Sequence, residues 1–131
     1  MLKLNYQPFK SVGNICFNDT RKEVRNKCGD FKEFKKFKYS KNTTDDFRLY
    51  HVYYDENNIV EAVEVFAGVD VEYMNVSLFL LTYKELKNML NDEKIECDST
   101  GAIFHTHGIS AYAPDGTKIE SLLFFKNGYY K

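Results

Sequence analysis

The stretch Asp45–Phe66, DDFRLYHVYYDENNIVEAVEVF, decides how this chain is read. Two runs rich in β-branched and aromatic residues, Phe47–Tyr54 and Ile59–Phe66, flank the polar tetrad Asp55–Asn58, the composition of two strands and a turn. A four-residue loop and a tight turn at Asn57–Asn58 give the same facing, because the two pairings differ by two residues and a strand's side chains alternate with period two. One face then carries Phe47, Leu49, His51, Tyr53, Val60, Ala62, Glu64 and Phe66; the other carries Arg48, Tyr50, Val52, Tyr54, Ile59, Glu61, Val63 and Val65. Both faces are apolar and both hold charge. Since phenolic hydroxyls want water or a polar partner, the Phe47/Leu49/Phe66 face is assigned to the core and the Tyr50/Tyr54 face to the open side. An open face of Tyr and β-branched residues with interspersed Arg and Glu has the make-up of a recognition surface. The competing reading is that a second meander or a packed loop covers it and makes it core.

Two helix signals flank this hairpin. In NDTRKEVRNKCG, Thr20 and Glu23 fit a capping box, Val24 and Cys28 share a face, and Gly29 stands where a C-terminal cap belongs. In TYKELKNMLND, Thr82 and Glu85 repeat the box, and Leu86, Met89 and Leu90 form an apolar stripe. Strands are expected at Phe34–Tyr39, with a loop over Ser40–Asp46, and at Val71–Phe79, Ala102–Thr106, Ile109–Ala113 and Lys118–Phe125, with turns at Pro114–Gly116 and Asn127–Gly128. The helix positions map onto each other at an offset of 62 (Thr20 to Thr82), and the turns at an offset of 59 (Asp55 to Pro114). This predicts an α+β fold of two tandem helix-plus-antiparallel-meander units, about 12–79 and 80–131, forming one sheet with the helices packed on one face, in a single domain.

Composition supports a folded chain: 131 residues, 44% hydrophobic and 16% aromatic, are enough for a core without staples. No segment approaches the roughly 20 apolar residues of a membrane span, and none resembles a signal peptide. Cys16, Cys28 and Cys97 are odd in number and without CxxC spacing, which argues against a disulfide framework or zinc site and for a reducing cytoplasm. Residues 1–42 hold 11 Lys/Arg against 4 Asp/Glu, whereas residues 45–98 hold 13 Asp/Glu against 4 Lys/Arg. The middle of the chain is therefore acidic, suited to a basic partner if folding leaves that charge together.

Chemistry is sparse. His105 and His107 in FHTHG would point the same way on a strand but lack an evident third ligand beyond Cys97 or Asp98, so no metal and no cofactor are expected. Glu61 and Glu64 fall on opposite strand faces and cannot form a glycosidase dyad, and no Gly-rich phosphate loop occurs. FKEFKKFKYSK interleaves aromatic and basic residues as single-strand nucleic-acid surfaces do, but a pI near 6.3 argues against such binding. A non-enzymatic protein is expected.

The segment VGNICFNDTRKEVRNKCG resembles the opening of the units found in the β-lactamase inhibitory protein and the small outer-membrane assembly lipoproteins. DDFRLYHVYYDENNIVEAVEVF, TYKELKNML, GISAYAPDG and KNGYYK are similar to small bacterial immunity proteins encoded beside contact-dependent or polymorphic toxins. No lipid-attachment signal like that of the lipoproteins, and no export signal or paired cysteines like those of the secreted inhibitors, is read in this sequence, so a cytoplasmic rather than an envelope role is expected. The resemblance implies a cytoplasmic immunity protein that occludes one cognate, basic toxin domain, or else a binding module of the inhibitor type with another partner. Tyr50, Tyr54, Glu61, Asp70 and Glu72 are the residues expected to meet that partner, with no nucleic acid or membrane involved.

Overall fold

The computed structural model describes residues 2–130. Both capping boxes form. Thr20 Oγ1 accepts from the Glu23 N–H at 3.2 Å while Glu23 Oε1 accepts from the Thr20 N–H at 3.1 Å, which starts helix α1 (Arg21–Cys28). Thr82 and Glu85 make the same reciprocal pair at 3.1 and 2.9 Å, which starts α2 (Tyr83–Leu90). Each pair satisfies N–H groups that the first helical turn would otherwise leave without partners. Gly29 and Asn91, both at positive φ, close the helices through N–H bonds to Arg25 and Lys87.

Each helix leads into a meander. After α1 come β4 (Lys32–Phe34), β5 (Thr44–Asp46), β6 (Tyr50–Tyr54) and β7 (Val60–Phe66); after α2 come β10 (Glu96–Cys97), β11 (Gly101–Phe104), β12 (Ile109–Tyr112) and β13 (Ser121–Phe125). They form one antiparallel eight-stranded sheet in the order β10-β11-β12-β13-β7-β6-β5-β4, so the two meanders meet last strand to last strand. The registers repeat. Tyr50↔Val65 and Val52↔Val63 correspond to Ile109↔Phe124 and Ala111↔Leu122, each residue shifted by 59. The stitches between helix start and hairpin turn repeat as well: the Arg21 N–H bonds the Asn58 carbonyl at 2.9 Å, and the Tyr83 N–H bonds the Thr117 carbonyl at 2.8 Å.

A second sheet was not foreseen. Strands β1 (Lys3–Gln7), β2 (Ser11–Val12), β3 (Ile15–Cys16), β8 (Asp70–Tyr73) and β9 (Val76–Ser77) assemble in the order β3-β2-β1-β8-β9, with β1 parallel to β8. The expected strand Val71–Phe79 is thus a tight hairpin, turned by Met74 and Asn75 at φ +55 and +63, followed by a 3-10 turn over Leu78–Leu80. Leu4, Tyr6, Val12 and Val71 join Val24, Leu86, Leu90 and the inner face of the large sheet in one hydrophobic cluster. Tyr6 lies 4.4 Å from the Phe124 ring and 5.4 Å from Tyr73, and its hydroxyl donates to the His107 carbonyl at 2.7 Å. Gly108, at φ +69, permits this approach, because a Cβ there would stand 2.5 Å from the Tyr6 oxygen.

The hairpin pairing is as expected up to Tyr53↔Ala62, after which a bulge sets Tyr54 opposite Val60. Its polarity is the reverse of the expectation. Tyr50, Val52, Tyr54, Val63 and Val65 belong to the inner cluster under the helices, while His51, Tyr53, Ala62, Glu64 and Phe66 lie on the helix-free side. The cause is Asp45, fully buried on β5 beside Val52. Its carboxylate accepts from the Tyr54 hydroxyl at 2.9 Å and from Arg25 Nε and Nη2 at 2.8 Å each, with Arg21 Nη1 at 3.6 Å. The hydroxyl has its polar partner inside, so the ring needs no water. Burial, then Asp45, raises the Tyr54 phenol well above its ordinary pKa, whereas Asp45 holds the Arg25 guanidinium above its own.

Local runs misled at two further places. Phe47–Leu49 is a turn: Arg48 sits at φ +81 with its N–H bonded to Asp46 Oδ1 at 2.6 Å. The expected strand Phe34–Tyr39 is not formed: residues 35–39 are irregular and only Phe34 is extended, as the last residue of β4, while the expected loop Ser40–Asp46 contains β5.

Candidate functional site

The helix-free face of the eight-stranded sheet is the feature most suited to binding. Opposed residues of antiparallel strands share a face, so the registers define rows across it. One row crosses all eight strands: Lys32, Asp46, His51 and Glu64 in the first unit, then Leu123, Ser110, Ile103 and Glu96 in the second. Lys32, Asp46, Glu64 and Glu96 carry charge, and Leu123 and Ile103 are its two apolar members. The next row brings Phe34, Thr44, Tyr53, Ala62 and Phe125 together.

In the first unit His51 stands between the rings of Phe34 (5.1 Å) and Phe66 (4.8 Å), with Nε2 3.4 Å from Asp46 Oδ1. The Tyr53 hydroxyl donates to Glu64 Oε1 at 2.5 Å. In the second unit the turn at Asn127–Gly128 folds Tyr129 and Tyr130 back onto Phe125, with ring centroids 5.8 and 4.9 Å away. Phe9 reaches the same ring from the β1–β2 turn at 6.4 Å. Tyr53, Ala62 and Phe125 are thereby buried in a small second cluster. Tyr112, Tyr130 and Leu49 remain 53%, 38% and 42% exposed, and Phe34, Phe66, Ile103, Leu123 and Tyr129 are half-buried. The face is a shallow aromatic floor bordered by carboxylates.

The edges of the sheet differ in charge. The segment leading through β4, residues 30–41, has five lysines against two acids, whereas its counterpart through β10, residues 91–100, has one lysine against four acids. Phe37 and Tyr39 project from the basic segment, 67% and 86% exposed.

The residues expected to meet a partner are scattered. Tyr54 is buried at 4% exposure, and Tyr50 is half-buried and stacked on Phe47 at 5.5 Å, its phenol raised above the ordinary pKa by burial and then by the Cys28 thiol. Neither lies on an open face. Asp70 and Glu72 are on β8 of the small sheet, where Glu72 pairs with Lys3 at 3.0 Å. Glu61 alone borders the helix-free face, at the rim of a cleft beside Tyr53 and Tyr129. The residues that do form the face, His51, Phe66, Leu123, Tyr129 and Tyr130, had one sequence signal: both phases of Ser121–Phe125, SLLFF, are apolar, as in a strand covered on two sides.

The histidines do not converge. His105 Nε2 bonds Glu96, whereas His107 accepts from the Tyr73 hydroxyl at Nδ1 (2.8 Å) and donates from Nε2 to the Leu90 carbonyl (2.9 Å). His107 is a clamp joining α2, β8 and the β11–β12 turn. They occupy a turn rather than a strand, so strand parity never applied. Among the described residues no group of three His, Cys, Asp or Glu is placed to hold a metal ion, and the three cysteines are free. No helix is long and apolar enough to cross a membrane. In comparisons with protein-family models, characterised proteins and solved structures, the chain matches none.

Proposed function

We propose that this chain is a binding protein that uses the helix-free face of its eight-stranded sheet to occlude a basic protein domain, and that the domain is a bacterial toxin neutralised in the cytoplasm by stoichiometric binding. The observation that carries the reading is the face itself. It presents Phe34, Phe66 and Tyr129 half-buried and Tyr112 and Tyr130 exposed, with Asp46, Glu64 and Glu96 spaced along one strand row. Rigid aromatic anchors ringed by polar groups supply most of the energy of protein interfaces, and carboxylates steer basic partners and speed association. The similarity of the hairpin, the second helix and the closing segments to immunity proteins favours a toxin as that partner. The protein works by occupancy rather than turnover.

The test is co-expression with the adjacent open reading frame, scored for growth, followed by binding kinetics on the purified pair. Phe66→Ala and Tyr130→Ala each weaken binding about thirtyfold, the scale of a 2 kcal/mol anchor, mainly through faster dissociation. Glu64→Gln slows association and flattens its salt dependence. Capture of a housekeeping complex through the same face, with no toxin, would assign the chain to another partner. Unchanged affinity in all three variants would remove the face from the interface.

A further inference from the structure

Where β6 ends and β7 begins, the sheet opens into a cleft of about 560 Å³. Its lining includes Tyr53 and Tyr129, the carboxylates of Glu61 and Asp55, and the ammonium groups of Lys36 and Lys41. Most of its charge is already paired: Lys41 bonds Glu56 at 2.8 Å, and Asp55 bonds Lys126 at 3.1 Å. Glu61 is different. Among the described residues its carboxylate has neither a hydrogen bond nor an ion pair, and half-burial, with Asp55 nearby, raises its pKa despite Lys126. Burial, followed by the nearby Tyr130, Glu61 and Glu64, pushes the Tyr129 phenol up to about 12, so this ring stays neutral. A neutral pair of phenol rings beside a carboxylate is the chemistry that holds an alkylammonium or guanidinium. Lys36 already uses part of it. Its Nζ stands 4.5 Å from the Tyr53 ring centroid and 5.6 Å from that of Phe37, held there by the exposed β4–β5 segment.

We propose that the cleft above Tyr53 and Tyr129 receives one lysine or arginine side chain of the bound partner, and that Lys36 fills this place in the free protein. The inference rests on reading this face as partner-binding, and it gives the partner's basic character a specific seat. Binding exchanges an internal cation for an external one, so the aromatic floor is never left bare and the β4–β5 segment swings aside only when a competing cation arrives. The internal occupant also sets a threshold, because a ligand's apparent affinity falls by the fraction of protein in which its site is taken.

The probe is N-acetyl-argininamide, titrated into isotope-labelled protein and followed by NMR, with N-acetyl-norleucinamide as the uncharged control. Saturable shifts confined to Tyr53, Tyr129, Glu61 and residues 36–41 are expected with the arginine probe only. Lys36→Ala removes the competitor and tightens the probe about two- to fivefold, given the modest strength of a partly exposed cation–π contact. Glu61→Gln loosens it at least as much. Absence of saturable shifts, shifts centred elsewhere, or a Lys36→Ala protein that binds no tighter would overturn the proposal. The probe contains no partner, so failure here with growth rescue intact removes only the cleft. Probe binding without any rescue instead leaves the cleft and removes the partner.

Discussion

Replacing Asp45 tests the physical basis of the fold more sharply than any other single change. Helix α1 buries only Val24, whereas α2 buries Tyr83, Leu86 and Leu90. What α1 lacks in apolar contact it recovers through Asp45, which holds Arg25 by two bonds of 2.8 Å and the Tyr54 hydroxyl by one of 2.9 Å. Arg21 stacks 4.2 Å above the same Tyr54 ring. In Asp45→Ala these guanidiniums, their side chains only 12% and 27% exposed, lose the buried carboxylate and keep only that of Glu33, half-exposed at 3.5 Å from Arg21 and 3.0 Å from Arg25. Breaking a buried pair in this way costs about 3–5 kcal/mol, against a total stability of about 5–15 kcal/mol for a small domain. At about 3–5 °C per kcal/mol for a chain of this length, the melting temperature falls by about 10–25 °C. Circular dichroism melts measure this, and hydrogen exchange locates it, with protection lost in α1 before α2. The combined variant Asp45→Leu, Arg25→Met, Tyr54→Phe should recover most of the loss, because an apolar replacement of a buried charge cluster is often neutral or stabilising. In the second unit two of the three corresponding positions are apolar: by register and offset they are Ala102 for Asp45 and Ala113 for Tyr54, with Lys87 in the place of Arg25. A melting temperature within 3 °C of wild type for Asp45→Ala, at about 1 kcal/mol or less, would refute the reasoning.

Three further changes probe separate contacts. Leu86→Ala, at a fully buried position on α2, should cost about 2–5 kcal/mol in denaturant melts. Gly108→Ala forces a Cβ to within 2.5 Å of the Tyr6 hydroxyl at φ +69, so it should lower stability by about 1–3 kcal/mol, whereas Gly128→Ala, with open space around it, should cost less. Glu61→Gln should stabilise the protein at neutral pH. With the folded pKa of Glu61 raised above its unfolded value, the native state binds the proton more tightly, so this site's contribution to stability falls as pH rises from the unfolded pKa through the folded one. The gain from Gln should accordingly vanish below about pH 4, the ordinary glutamate range, and a gain that persists there would show that desolvation of the carboxylate is not its source.

What could be read from the sequence was local. Each capping box spans four residues, Thr20 to Glu23 and Thr82 to Glu85, and the chemistry is complete within the span. The 59-residue repeat between hairpins was equally accessible, because each turn fixes the register of its own strands. The polarity of the first hairpin was not accessible. It depends on Asp45, nine residues from Tyr54, and on two arginines from a helix, none of which strand alternation can reveal. The same holds for Phe47–Leu49, an apolar run made into a turn by the φ of Arg48 and the Asp46 side chain. The small sheet was hidden because β1 pairs with residues 67 positions away. The helix-free side of the hairpin was therefore assigned to the core, and of the five residues expected to meet a partner only Glu61 borders that side.

The join between β7 and β13 has a consequence for how the chain is made. Strand β7, VEAVEVF, pairs on one side with β6, which precedes it, but on the other with Ser121–Phe125. At a synthesis rate of about 5–20 residues per second, the 59 residues from Ala67 to Phe125 take about 3–12 s to emerge. For that time the nascent chain carries a valine-rich strand with one row of N–H and C=O groups unpaired, the arrangement most prone to join a neighbouring chain. Vectorial synthesis thus leaves the centre of the finished sheet as its last unsealed edge, and conditions that slow elongation should lower the yield of folded protein more than its thermodynamic stability would suggest.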